Sequence, residues 1–202
     1  MEQQTRRARK KEATRRRILE AAFKLFVEQG FDNTTVDQIT EEADIGKGTF
    51  YNYFTTKEAA LYDFMEDLGS QRGQKLWAGI LGLGDTRERL TRTFQSLASW
   101  FEEYPELVKV YTVDRVNTGL KNPGSFTPNH FEIYLAEVLQ KGQEAGDIRG
   151  DIPHLQLANY LSGITLIQLC QWFQGGAGIG LYELVIQGVN FFLTGALNTE
   201  KE

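Results

Sequence analysis

The sequence predicts an all-α chain of about nine helices, a three-helix head followed by a larger helical bundle. Three observations lead there. Apolar residues recur at helical spacing in almost every segment, while the strict alternation of a strand is absent. Helix caps and stops punctuate the chain at intervals of two to five turns. The 202 residues are 41% hydrophobic and 24% charged, enough to bury a core without disulfide staples.

Taken in order, the first helix runs over Glu12–Gln29, with Ile18, Ala22, Leu25 and Phe26 on one face and Gly30 as its stop. Thr35 and Gln38 form a capping-box pattern that opens a short second helix ending near Ala43. Asp44, Ile45 and Gly46 make a tight turn, and a third short helix spans Lys47–Tyr53. Thr56 caps a fourth, whose apolar side is Leu61, Phe64, Met65 and Leu68. The bundle follows as Thr86–Tyr104, Pro105–Thr118, Phe131–Ala145 with Gly146 as its stop, His154–Gln174, and Leu181–Leu197. Lys121–Pro128 and the glycine-rich Gly175–Gly180 read as loops.

Charge is unevenly placed. Residues 1–17 hold eight cations against Glu2 and Glu12, a net +6, which leaves −11 on the other 185 residues of a chain at −5. A basic N-terminal arm on an acidic body points to one polyanion-binding end. The arm has no apolar stripe to bury in a bilayer, and no stretch has the length of a membrane span. The single cysteine, Cys170, excludes an internal disulfide and a thiolate zinc site, which fits a reducing cytoplasm. His130 and His154 are too sparse for a metal site, no nucleophile–base pair stands at motif spacing, and the spaced glycines of Gly175–Gly180 follow no strand. Neither an enzyme nor a cofactor is expected.

Three short helices with a tight turn between the second and third are the layout of a helix-turn-helix. In the third, Phe50 and Phe54 are four apart and anchor one face. Lys47, Thr49, Tyr51, Asn52 and Tyr53 remain for other faces, all able to bond phosphates or base edges, and Gly48 lets backbone approach closely. Asn suits a bidentate contact with adenine, and the Thr methyl suits the thymine methyl.

The run Thr34 to Ile39, the run Lys47-Gly48-Thr49-Phe50-Tyr51-Asn52-Tyr53-Phe54 and the run Thr56 to Leu61 together resemble the signature of the TetR family of repressors, over about residues 14–61. Gly146-Asp147-Ile148-Arg149 ahead of a proline-led helix is similar to many members as well. The resemblance implies a helix-turn-helix DNA-binding domain at 1–58 and an all-α effector-binding and dimerisation domain at 59–202. It implies that Thr35, Lys57, Tyr51 and Tyr53 grip the DNA backbone while Lys47, Thr49 and Asn52 reach the major groove. Gly48 and Arg15 complete the expected DNA-binding set. Gly46 stands where many members have Ser, so a hydroxyl cap or contact is missing there.

The expected function is that of a ligand-responsive regulator, a repressor that binds a palindromic double-stranded operator as a homodimer and is released by a small hydrophobic effector. The other reading is a DNA-binding structural or interaction protein without a small-molecule inducer. Trp77, Phe94, Trp100, Tyr111, Tyr134 and Trp172 are the candidate effector contacts, because aromatic residues concentrate in the body. Leu157, Leu161, Ile164, Leu184, Val185, Val189 and Phe192 are the candidate dimer contacts, on the apolar faces of the last two helices.

Overall fold

The computed structural model describes residues 6–67, 73–121, 128–175 and 178–196, and helix propensity and capping divide these described residues into ten helices. They are α1 (Arg6–Gln29), α2 (Val36–Glu42), α3 (Lys47–Tyr51), α4 (Lys57–Asp67), α5 (Gly73–Leu81), α6 (Thr86–Glu103), α7 (Pro105–Lys121), α8 (His130–Glu144), α9 (His154–Phe173) and α10 (Leu181–Ala196). Among the described residues there is no strand. Residues 1–5 of the basic arm, 122–127 of one expected loop, 176–177 of the other, and the terminal Leu68 and Leu197 of two expected helices lie outside the described residues.

The caps act as the sequence predicts. The Thr35 hydroxyl accepts from the Gln38 amide, and the Gln38 side chain accepts from the Thr35 amide. Thr56 accepts from the Ala59 amide at the start of α4. Asn129 and Glu132 form a second capping box at α8. Gly30 (φ 88°) and Gly146 (φ 73°) end α1 and α8 in the left-handed region, where a Cβ would be strained.

Two expectations change. The basic segment is not an arm ahead of a helix at Glu12: from Arg6 it is α1 itself, because Ala, Arg, Lys and Glu are strong helix formers and Arg16 pairs with Glu20 one turn on. The tenth helix is α5, which contains Trp77.

Contacts group the chain into two compact units. The first takes residues 1–68 together with 106–118, and the second takes 69–105 with 119–202. In the first, α1 packs on α2 and α4, and α2 on α3. Its core is Ile18, Leu19, Ala22, Phe26, Phe31, Ile39, Phe50, Phe54, Ala60 and Leu61. This grouping runs past residue 58, since α4 packs on α1, with Phe23 and Phe64 stacked at 4.1 Å. Most of α7 joins it: Tyr111 donates to Glu66 (2.8 Å), Arg115 donates to the Tyr62 hydroxyl, and the Tyr62 and Tyr111 rings lie 5.4 Å apart.

In the second unit α8 packs on α9, and α10 on α6 and α9, around Leu90, Phe94, Leu135, Leu139, Leu161, Leu181 and Leu193. This core also takes the residues expected between two chains. Leu157, Leu161, Leu184, Val185, Val189 and Phe192 are buried within the single chain, and Ile164 packs against the same core. Both helices are apolar on more than one face, and periodicity alone did not say which face turns inward.

The turn between α2 and α3 holds one backbone strain. Asp44 is the one non-glycine among the described residues with positive φ (50°), and its side chain is exposed. Asp44→Gly relieves it and is expected to stabilise the first unit by about 0.5–1 kcal/mol. Urea unfolding measures this, and an unchanged or lower midpoint means the aspartate holds the turn by a contact of its own.

Candidate functional site

The third helix sorts its side chains by stripe. Phe50 and Phe54 are buried at 0% and 4% exposure, so they fix the helix on the core. The stripes 47/51 and 48/52 face outward, and all four residues are exposed. Thr49 and Tyr53 flank them, half-buried. A cation, a phenol and a carboxamide therefore share one outward surface with a glycine in its middle.

Each group has a distinct setting. Tyr51 sits edge-on to Phe50 at 5.5 Å, which orients its exposed ring. Tyr53 leans on Phe54 at 6.3 Å. Lys47 pairs with Asp37 at 2.6 Å, and that hydrogen bond holds its ammonium above the ordinary lysine range. Asp37 was not anticipated as a member of the site; its spacing ahead of the turn carries no signal by itself. A Cβ on Gly48 would meet nothing within 4 Å, so the glycine is not required by packing. Gly46 is the N-cap of α3 without a side-chain bond, which is the missing cap the sequence indicates.

Thr35 lies exposed at the N-terminus of α2, where its amide and hydroxyl are engaged with Gln38. Two cations of the expected set are held inside the fold instead. Arg15 forks onto Asp63 (3.0 Å) and Asp67 (2.8 Å) of α4. Burial works to lower its pKa, but the hydrogen bonds to Asp67 and Asp63 outweigh that and hold it above its ordinary value. The Lys57 ammonium donates to the carbonyls of Phe31 (2.7 Å), Thr34 (2.9 Å) and Asp32 (3.4 Å), and lies 4.4 Å from the Phe31 ring centre.

The aromatic candidates of the body fall into separate places. Trp77, Phe94 and Tyr134 come together with Phe131. Trp77 stacks on Tyr134 at 4.6 Å and lies 6.1 Å from Phe131, which meets Phe94 edge-on at 5.8 Å. The Tyr134 hydroxyl pairs with Thr93 at 3.0 Å, and burial pushes its phenol up. Trp100 instead neighbours Phe101 and Tyr104, Trp172 neighbours Phe173, and Tyr111 belongs to the first unit.

Residues 18–61 match the profile of the family described as bacterial regulatory proteins, tetR family. The transcriptional repressor NicS of Pseudomonas putida is 26% identical over 72% of this chain and 71% of its own. The transcriptional repressor DhaR of a Mycobacterium species is 29% identical over 73% and 76%. Among solved structures, the Thermus thermophilus repressor FadR, in complex with lauroyl-CoA, superimposes with a TM-score of 0.71 at 26% identity, over 91% of this chain and 95% of that one.

Proposed function

We propose that the chain, whose residues 18–61 match the tetR family of bacterial regulatory proteins, is a ligand-responsive repressor that binds a palindromic operator as a homodimer. The observation that carries the reading is the outward surface of Lys47, Gly48, Tyr51 and Asn52 within the residues that match the family. These residues are exposed, with Tyr51 resting edge-on against Phe50 and Lys47 paired with Asp37, and their chemistry is that of base edges and phosphates. The DNA-binding surface is assigned to residues 1–58, and the effector and dimerisation roles to 59–202. The chain acts on chromosomal DNA in the cytoplasm, and no catalytic step is assigned to it.

The dimer forms through the outer face of α9 with α10. Helix α9 contains no Lys, Arg, Asp or Glu in twenty residues, yet Leu155, Tyr160 and Ile167 on it, and Phe191 on α10, are exposed in the single chain. An uncharged apolar face of this length favours a second copy over water. The two recognition helices then enter major grooves about 34–36 Å apart. An effector releases DNA only to the extent that it prefers the DNA-incompetent state, and tenfold release takes about 1.4 kcal/mol of coupling. FadR of T. thermophilus, with its lauroyl-CoA, supports a small hydrophobic or amphipathic effector here.

Selection of bound sequences from a random DNA pool tests the reading. The expected product is a two-fold symmetric site with half-sites one turn apart; an asymmetric or featureless product overturns it. On the selected site Asn52→Ala is expected to lose about 1–3 kcal/mol of discrimination against the wrong base. Anisotropy on selected and scrambled DNA reads this, and equal losses on both would remove Asn52 from base reading.

A further inference from the structure

Among the described residues, two buried polar side-chain atoms have no hydrogen-bond partner, Trp77 Nε1 and Ser162 Oγ. They are not equivalent. A serine hydroxyl on a helix turns about its own bond to reach the carbonyl four residues back. An indole N–H has a fixed direction and is a donor only. Leaving it unmade costs about 1–3 kcal/mol. The indole ring belongs to the nest formed by Trp77, Phe94, Phe131 and Tyr134, carried by α5, α6 and α8.

From this juxtaposition we infer that the Trp77 nest is the effector's polar anchor: its N–H takes a neutral acceptor oxygen, the carbonyl of an ester, thioester, amide or ketone on an otherwise apolar molecule. The inference rests on the reading of the body as an effector domain and names the ligand class for it. The donor-only chemistry of indole requires an acceptor lone pair at this point and excludes a ligand that offers only N–H donors there. A quaternary ammonium is disfavoured because the Trp77 and Tyr134 faces stack on each other, so they are not free to sandwich a cation. A carboxylate is disfavoured because the guanidinium that acts on Tyr134, Arg89, is turned onto the Leu83 carbonyl at 3.0 and 3.1 Å. A buried anion without a paired cation carries a large desolvation penalty. The Tyr134 hydroxyl is already joined to Thr93, which leaves Trp77 as the group awaiting a partner.

The test uses three probes of one chain length: methyl octanoate, octanoate and octyltrimethylammonium. The chain has three tryptophans, so its indole N–H proton spectrum holds three resonances, and Trp77→Phe identifies one while keeping an aromatic ring in the nest. The expected result is a saturable downfield shift of the Trp77 resonance with methyl octanoate, and affinity for the ester about tenfold lower in Trp77→Phe, the loss of one hydrogen bond. Val27→Ala, exposed on α1 of the first unit, is expected to bind the ester like the parent chain. A Trp77 resonance unmoved at saturating ester, or equal ester affinity in Trp77→Phe, overturns the inference. Tighter binding of octanoate or of the ammonium overturns the ligand class. Operator affinity is read in the same titration. A shifted Trp77 resonance with unchanged operator affinity leaves the anchor standing and counts against the ligand-responsive reading instead.

Discussion

Ile167→Glu is expected to convert the protein into a folded monomer with operator affinity lowered about a thousandfold. Ile167 is 62% exposed in the single chain, so a carboxylate there faces water and does not disturb the core. In the proposed dimer the same position lies on the outer stripe of α9 with Tyr160 and Gly163. A Cβ on Gly163 would meet nothing within 4 Å, which leaves room for a second helix to approach closely. A glutamate on that stripe buries a charge with no cation to pair, because α9 contributes none. An uncompensated buried charge costs about 3–5 kcal/mol, and each 1.4 kcal/mol is about tenfold. Losing the dimer separates the two recognition helices, and a single helix retains only half of the contacts. Light scattering gives the mass, circular dichroism the helicity, and anisotropy the operator affinity. Leu161→Ala is the contrast on the same helix. Leu161 is fully buried in the chain's own core, so its truncation is expected to cost about 2–5 kcal/mol of stability with no direct effect on assembly. If Ile167→Glu remains dimeric and binds operator normally, the outer face of α9 is not the interface.

The same two residues mark where sequence reasoning reaches its limit. Signals confined to a few neighbouring residues were readable: the capping box of Thr35 and Gln38, the glycine stops at 30 and 146, and the placement of Phe50 and Phe54 on one face of α3. Each is set within about one helical turn, so local chemistry decides it. The inward face of α9 and α10 was not readable, because these helices are apolar nearly all round and the choice belongs to packing. Leu157, Leu161 and Val189 turn in, whereas Tyr160, Ile167 and Phe191 turn out, and their residue types do not differ in any way that predicts it. Helix α5 was missed for another reason: its segment opens and is interrupted by glycines 73 and 79 and has no cap residue directly before it.

Cations proved the least readable of the candidate site residues. A lysine or arginine near a DNA-binding helix has the chemistry for phosphate whether or not the fold has already taken it. The partners of Arg15 lie 48 and 52 residues along the chain. No spacing rule reaches that far, and only the packing of α1 on α4 brings Asp63 and Asp67 to it. By contrast, the exposed Lys47 stays at the outward surface with its neighbour Asp37, on a pair that water and a phosphate can both reach.

Lys57→Met is the sharpest way to separate these two fates of a cation, and the expected result is a destabilised first unit with an unchanged salt dependence of DNA binding. The sequence resemblance puts Lys57 on the DNA backbone. A phosphate contact predicts that its loss weakens all sequences alike and lowers the salt slope by about one unit. In the fold its three N–H donors reach the carbonyls of Phe31, Thr34 and Asp32, in the turn between α1 and α2. Those carbonyls lie just beyond the end of α1, so the ammonium ties the start of α4 to the entry of α2 and rests on the Phe31 ring. Methionine keeps the length of the apolar stem and removes the donors and the charge. Hydrogen bonds to a charged group contribute about 1.5–3 kcal/mol each, and these share one donor group and are partly solvated, so a total loss of about 2–3 kcal/mol is expected. The start of α2 carries Thr35, and loosening it weakens operator binding through position, not through charge. Urea unfolding reads the stability, and operator affinity across a salt series reads the charge. A salt slope lowered by one unit with stability intact would return Lys57 to the DNA backbone. A lower unfolding midpoint with a parallel salt plot fixes it as the clamp that sets the recognition helices in place.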